Sequence, residues 1–190
     1  ASEFDQLREV AKELGATTRF SATQAAEGMA FLARAGFDTR QVMESVDDTL
    51  LLAQAGALDL GRAADIASNV LTGFGIEADD AGRVVDVLAK AANSANTDVN
   101  QLGDAMKFVA PIAAGLGVSL EETTAAVGAL SDAGLQASLA GTGLKRVFAE
   151  LESPAEKTRK IFAQLGVDAD EVKISQVGLT DALTRLKQAG

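Results

Sequence analysis

Helix start and stop signals recur along this chain, and they constrain its fold more than any other feature. Ser21 with Gln24, Asp38 with Gln41, Asp98 with Gln101 and Ser119 with Glu122 all stand at i, i+3. At that spacing each side chain can satisfy an amide that a helix start leaves unpaired. Turn signals at Gly36, Gly56, Gly75, Ala95 and Gly115 follow one another about every twenty residues. Helices of similar length joined by short connections account for this spacing, either as a weak repeat or as ordinary helices with short loops. Both readings give an all-α chain, a compact array or bundle of about nine short helices joined by Gly-containing turns.

The apolar positions fit those limits. Ser2 opens a helix that puts Phe4, Leu7, Val10, Ala11 and Leu14 on one face, with Gly15 placed to end it. Met29 and Leu32, then Val42, Val46 and Leu50, then Ala63, Ala67 and Val70 continue the helical spacing, the last set behind a start at Asp59. Glu77 or Asp79 begins the helix of Val84, Val85 and Leu88, which fades into the polar turn Asn93 to Thr97. Between Ser94 and Thr123 lies the segment around which the chain is organised. Val99, Leu102, Met106 and Val109 form one stripe there, and Pro111 removes an amide near the helix end. Beyond it, Leu139, Leu144, Val147, Phe148 and Leu151 form a helix, and Ser153-Pro154 with Glu156 signals another start, with Ile161, Phe162 and Leu165 facing inward. The β-branched stretch Val172 to Val177 carries no clear period, and Leu179, Ala182, Leu183 and Leu186 suggest a terminal helix.

Composition limits the chemistry. The net charge is −10 and the basic residues are scattered, so specific nucleic-acid binding is not expected. The longest uncharged run, Phe108 to Leu120, is too short to cross a bilayer, and no membrane contact is expected of it. With no Cys and no His, thiolate and imidazole metal ligands are absent. The chain begins with Ala1 and shows no charged-then-apolar leader, which suggests a piece cut from a longer protein.

Catalytic readings find little in the residues to build on. Glu27 or Glu150 could serve as the acid of a peptidoglycan-cleaving glycosidase, but the chain has no Trp or Tyr to hold sugar rings. Asp47-Asp48 and Asp79-Asp80 are adjacent in sequence and point in different directions on a helix, as solvated or helix-start charges do. Gly141-Thr142-Gly143 before Lys145 lacks the spacing and the preceding strand of a phosphate loop, so these glycines read as helix-packing positions. Met29, Met106, Phe37, Phe74, Phe108 and Phe148 read as core. No catalytic, cofactor-binding or metal residue is expected, and the surfaces of the helices are expected to carry the function.

The wording of the chain also carries a resemblance. SANTDV at Ser94 to Val99, FVAP at Phe108 to Pro111 and GVSLEET at Gly117 to Thr123 resemble the central signature of the phage tail tape measure protein family, a helical domain shared by phage minor tail proteins. Thr17 to Phe37 resembles the opening motif of that family, and Ala133 to Leu151 its closing one, with Ala137 where glycine is expected. The resemblance implies a conserved helical domain over residues 1–154 and a C-terminal helical extension over 155–190, where the match is looser. It further implies a structural protein of a phage or prophage tail that helps set tail length and organise tube assembly. The partners it implies are other copies of itself and the tail tube, tail-tip and tail assembly chaperone proteins, with the host cytoplasm as the place of assembly and the virion tail as the final location. The competing reading from the residues alone is a generic helical adaptor that recruits one partner through an apolar groove.

Overall fold

The computed structural model describes residues 2–190, and residue 1 lies outside it. Among the described residues are eleven α-helices, two 3₁₀ turns and no strand. In order they are α1 (Glu3–Thr17), α2 (Ala22–Arg34), α3 (Thr39–Ala55), α4 (Leu60–Phe74), a 3₁₀ turn (Ala78–Asp80), α5 (Ala81–Ser94), α6 (Val99–Gly115), α7 (Leu120–Asp132), α8 (Ala137–Glu152), α9 (Glu156–Gln164), a second 3₁₀ turn (Ala169–Val172), α10 (Ile174–Val177) and α11 (Leu179–Ala189). The count exceeds nine because the C-terminal segment breaks into short pieces. The β-branched stretch is helical, and it turns Val172 and Ile174 into the core.

Most starts form as the spacing predicts. Ser2, Ser21, Asp38 and Ser119 close reciprocal capping boxes with Asp5, Gln24, Gln41 and Glu122. Asp59 and Asp98 cap α4 and α6, although Gln101 turns its amide to the Asp98 carboxylate at 2.9 Å and leaves the box half closed. Neither Glu77 nor Asp79 makes a capping bond. The start assigned to Ser153-Pro154 lies further on, since the N-cap of α9 is Ala155. Glu150 supplies its bonds from the preceding helix, accepting from the Ala155 N–H at 3.2 Å and the Thr158 hydroxyl at 2.7 Å.

Six helices stop in one way. A residue with positive φ is followed by an apolar residue whose N–H donates to the carbonyl five back: Phe37 to Leu32, Leu58 to Ala53, Ile76 to Leu71, Val118 to Ala113, Leu135 to Leu130 and Val167 to Phe162. The positive-φ residue is glycine in five of them; at the end of α3 it is Ala57, at 50°. Gly56, the residue read as that stop, has φ of −88° and instead leaves room for Leu58 and Val99, whose carbons would lie about 3 Å from an added Cβ. Gly15 likewise does not end its helix. It lies inside α1, where a Cβ would meet the Ala22 backbone nitrogen at 2.4 Å, so it sets the close crossing of α1 and α2.

These helices stack by alternate members. α2, α4, α6 and α8 pack in sequence as one row, α1, α3, α5 and α7 as a second, and short connections join the rows. Helices two apart in sequence thus pack on one another along each row, while α1 leans chiefly on α2, an arrangement like that of a solenoid built from helix pairs. The interior divides into two cores. Leu14, Met29, Leu32, Val46 and Leu50 gather the N-terminal helices, whereas Ile66, Leu88, Leu102, Met106 and Phe148 lead the larger core from α4 onward. α3 and α4 form the wall between them, with Leu50 and Ala63 facing one core and Leu52 and Ile66 the other. Beyond α8, Phe162, Val172, Ile174, Leu179 and Ala182 extend the larger core.

Periodicity overstated burial where a helix has few neighbours. Met29, Met106 and Phe148 are buried and Phe37 and Phe74 half-buried, but Phe108 is 45% exposed on the side of α6 that meets no other helix. Phe4 and Leu139 are exposed at the two ends of the array, as are Val147, Ile161, Leu165 and Leu183.

Candidate functional site

The centre of the molecule is built from backbone proximity. A Cβ on Gly141 of α8 would stand 2.2 Å from the Ala105 carbonyl oxygen of α6, so only glycine permits this crossing. On the α4 side of α6, a Cβ on Gly103 would meet the Ile66 side chain at 2.5 Å, and one on Gly73 would meet Ala110 at 2.8 Å. The Gly141-Thr142-Gly143 stretch is thus a helix contact, as its lack of a strand and of phosphate-loop spacing implied, and Lys145 is exposed beyond it. Pro111 lies within α6 near Gly73, and the helix continues past it to Gly115.

Polar ties follow the same alternation. Arg62 of α4 donates to Asn100 and Asp104 of α6, and Lys107 of α6 donates to Asp65 of α4 at 2.8 Å. Burial pushes the Asp65 carboxyl up, but the bonds from Lys107 and Arg62 prevail and hold it below the usual range. In the other row the Arg83 guanidinium of α5 grips both oxygens of Glu121 on α7, which lowers that carboxyl and raises the guanidinium. The connection before α6 is tied down by α7 and the turn after it. The Asn96 N–H donates to Asp132 at 2.7 Å, and the Gln136 amide donates to the Asn96 carbonyl at 2.8 Å. Sequence reading missed these pairs; their partners stand 36 to 42 residues apart, the length of one helix pair, and that separation is the available signal.

The carboxylates singled out as acids do not assemble a reaction centre. Glu27 sits exposed on α2 and Glu150 on α8, helices at opposite ends of their row, and Glu150 is occupied in capping α9. Its carboxyl is held low by the Thr158 hydroxyl and the Ala155 amide. Of Asp47-Asp48, only Asp48 meets another helix, lying against Gly82 of α5; burial, with Asp47 and Asp86 adding repulsion, pushes its carboxyl up. Asp79 and Asp80 belong to the first 3₁₀ turn, and Asp80 leans toward Arg83 at 3.5 Å. Among the described residues, no group of three or more His, Cys, Asp or Glu could hold a metal ion. No helix among them is long and apolar enough to cross a membrane.

What the molecule presents instead is shape. An apolar groove of about 710 Å³ opens between α1, α2 and the start of α3. Its floor is the alanine face of α2, Ala22, Ala26, Ala30 and Ala33, and Phe4, Leu7 and Phe37 rise at its sides. A second hollow of about 440 Å³ lies between α5 and α7 over small residues such as Ala91 and Gly128.

The model of the phage-related minor tail protein family matches residues 8–190. The chain belongs to that family. Relatives include the tape measure protein of Pneumococcus phage Dp-1, 37% identical over 189 residues, which is 100% of this chain and 16% of that protein. The probable tape measure protein of Escherichia phage P2 is 34% identical over 173 residues, 91% of this chain and 21% of the relative. The chain therefore spans 16% and 21% of the length of these two relatives. No solved structure matches it. Family membership decides between the two readings drawn from the sequence, in favour of a phage tail protein over an unrelated adaptor.

Proposed function

We propose that this chain is the compact assembly domain of a phage or prophage tail tape measure protein, working through its helical surfaces and not as an enzyme. The observation that carries the reading is the tape measure relatives, which align with nearly the whole chain but only with a small part of themselves. A ruler is an extended helix, because a rise of about 1.5 Å per residue turns residue count into distance. This chain folds back every 9 to 17 residues over α1 to α9. It is therefore not the ruler, and the segments that measure length belong elsewhere in such a protein. Its partners in this reading are further copies of itself and the tail tube, tail-tip and tail assembly chaperone proteins, met in the host cytoplasm during assembly and retained in the virion tail. The acidic surface disfavours adhesion to DNA phosphates.

The test is removal of this region, in frame, from a phage that carries it, with tails counted by electron microscopy. The reading predicts that complete tails become rare, whereas shortening a long helical segment outside the region shortens tails. An unchanged yield of normal tails after removal overturns it.

A further inference from the structure

The helices repeat in pairs, and α1 takes the place of a second helix. The N-caps of α2, α4, α6 and α8 are Ser21, Asp59, Asp98 and Gln136, which stand 38 or 39 residues apart. Each opens a pair, α2 with α3, α4 with α5, α6 with α7 and α8 with α9, and a connection of four residues leads from one pair to the next, at 56–59, 95–98 and 133–136. α1 is joined to α2 by a connection of the same length, 18–21, and it packs on α3 as α3 packs on α5 and α5 on α7. Equivalent positions of the first helices share a role. The fifth and twelfth helical residues are Ala64 and Leu71 in α4, Gly103 and Ala110 in α6, and Gly141 and Phe148 in α8, and all six are buried. Their contacts run to the first helix of the preceding pair. A Cβ on Gly103 would meet Ile66 of α4, one on Gly73 of α4 would meet Ala110, and one on Gly141 would meet Ala105 of α6. Ile66 and Ala105 are each the seventh residue of their helix, so the two crossings keep one register.

In α2 the same two positions are Ala26 and Ala33. Both are exposed, and with Ala22 and Ala30 they floor the apolar groove. The flank of α2 that meets α4 is a different one, where Phe31 lies against Gly61. The groove is therefore the seat that a first helix takes in every later pair. This chain is 16% and 21% of the two tape measure relatives, so in proteins of that length most residues lie outside this region. We propose that the groove receives the first helix of α1's own pair, an amphipathic helix formed by the roughly twenty residues that precede residue 1 in the full-length protein, with its seventh residue over Ala26. In a stack of repeats each unit buries its apolar face on its neighbours, and this helix gives α2 the cover that α4, α6 and α8 already have. The inference rests on the repeat and on the length of the relatives, not on the tail-assembly role, so its failure leaves the tail-yield test untouched.

Cysteine accessibility tests it. Ala26→Cys and Ala33→Cys are made separately in the 190-residue chain, which has no Cys of its own, and in the full-length protein of a phage that carries it. Labelling by a maleimide is followed at each site by peptide mass spectrometry, with Glu27→Cys, exposed and outside the groove, as the control. Circular dichroism confirms that each variant folds, and either groove position serves if the other does not. Both groove sites should label freely in the 190-residue chain and about tenfold or more slowly in the full-length protein, at any protein concentration, while the control labels alike in the two. Deleting the roughly twenty residues before residue 1 should restore fast labelling. Equal labelling of the groove sites in both proteins, protection that grows with protein concentration as a second copy would give, or protection that survives the deletion overturns the proposal.

Discussion

At the scale of single residues, two alanines stand where the backbone asks for glycine. Ala57 ends α3 at φ 50° and Ala137 opens α8 at φ 51°. A left-handed L-residue costs about 1–2 kcal/mol, and glycine removes that cost while giving back part of it as chain entropy. Ala57→Gly and Ala137→Gly should therefore each raise stability by roughly 1 kcal/mol in urea unfolding. Substitution of the glycines themselves divides by what surrounds them. Gly141→Ala drives a methyl into the Ala105 carbonyl and should cost about 2–3 kcal/mol, whereas Gly143→Ala, in open space, should gain about 0.5–1 kcal/mol. The sequence named both as helix-packing glycines but could not separate them, because the difference lies in which side of α8 meets α6. Ala137 was legible as a departure from the family motif, and its positive φ shows what glycine would have supplied there. Asp48 behaves differently. Its folded pKa is raised, so the folded state binds the proton more tightly than the unfolded chain, and stability rises as pH falls through the folded value. Asp48→Asn should be more stable than wild type at pH 7 and should lose that advantage in mild acid.

At the scale of elements, the cap signals were the most legible part of the fold and the ends of helices the least. The boxes at Ser21, Asp38 and Ser119 form because both partners lie within one turn and need no tertiary help. Ser119→Ala should accordingly lower stability by about 1 kcal/mol. Ser153→Ala should change little, because α9 takes its cap from Glu150, a residue of the preceding helix that no local spacing rule points to. Glu150 and Glu152 together tie α8 to the C-terminal segment, Glu150 through α9 and Glu152 by accepting from the hydroxyl and the amide of Ser175 in α10. Both carboxyls are held below their usual range, so their contribution is complete above the unfolded pKa and is lost as pH falls through the folded one. Amide exchange measured down to acid pH should show α9 and α10 loosening before α6. The stop signals were read from glycine, apart from Ala95 in the polar turn Asn93 to Thr97. Pairing each glycine with the apolar residue after it, as in Gly36-Phe37 and Gly117-Val118, would have found the bond pattern and shown that Gly15 is of another kind.

At the scale of the whole molecule, the regular spacing of turn signals proved to be the trace of two rows of stacked helices, which a one-dimensional reading cannot order. Two cores with α3 and α4 between them imply unequal protection, since the N-terminal core holds several alanines among its buried residues and its groove is open to water. Exchange at pH 7 should be slowest in α6 and several-fold to many-fold faster in α1 and α2, with equal protection throughout counting against two cores. The larger core hinges on the contact of Gly141 with Ala105, and the tail-assembly reading needs that core intact without making it the measure of length. The most direct measurement is therefore an electron-microscopic count of tails, with their lengths, from a phage whose tape measure protein carries Gly141→Leu in this domain. The account predicts few complete tails and normal length in those that form; tails in normal number, or in number but of altered length, would contradict it.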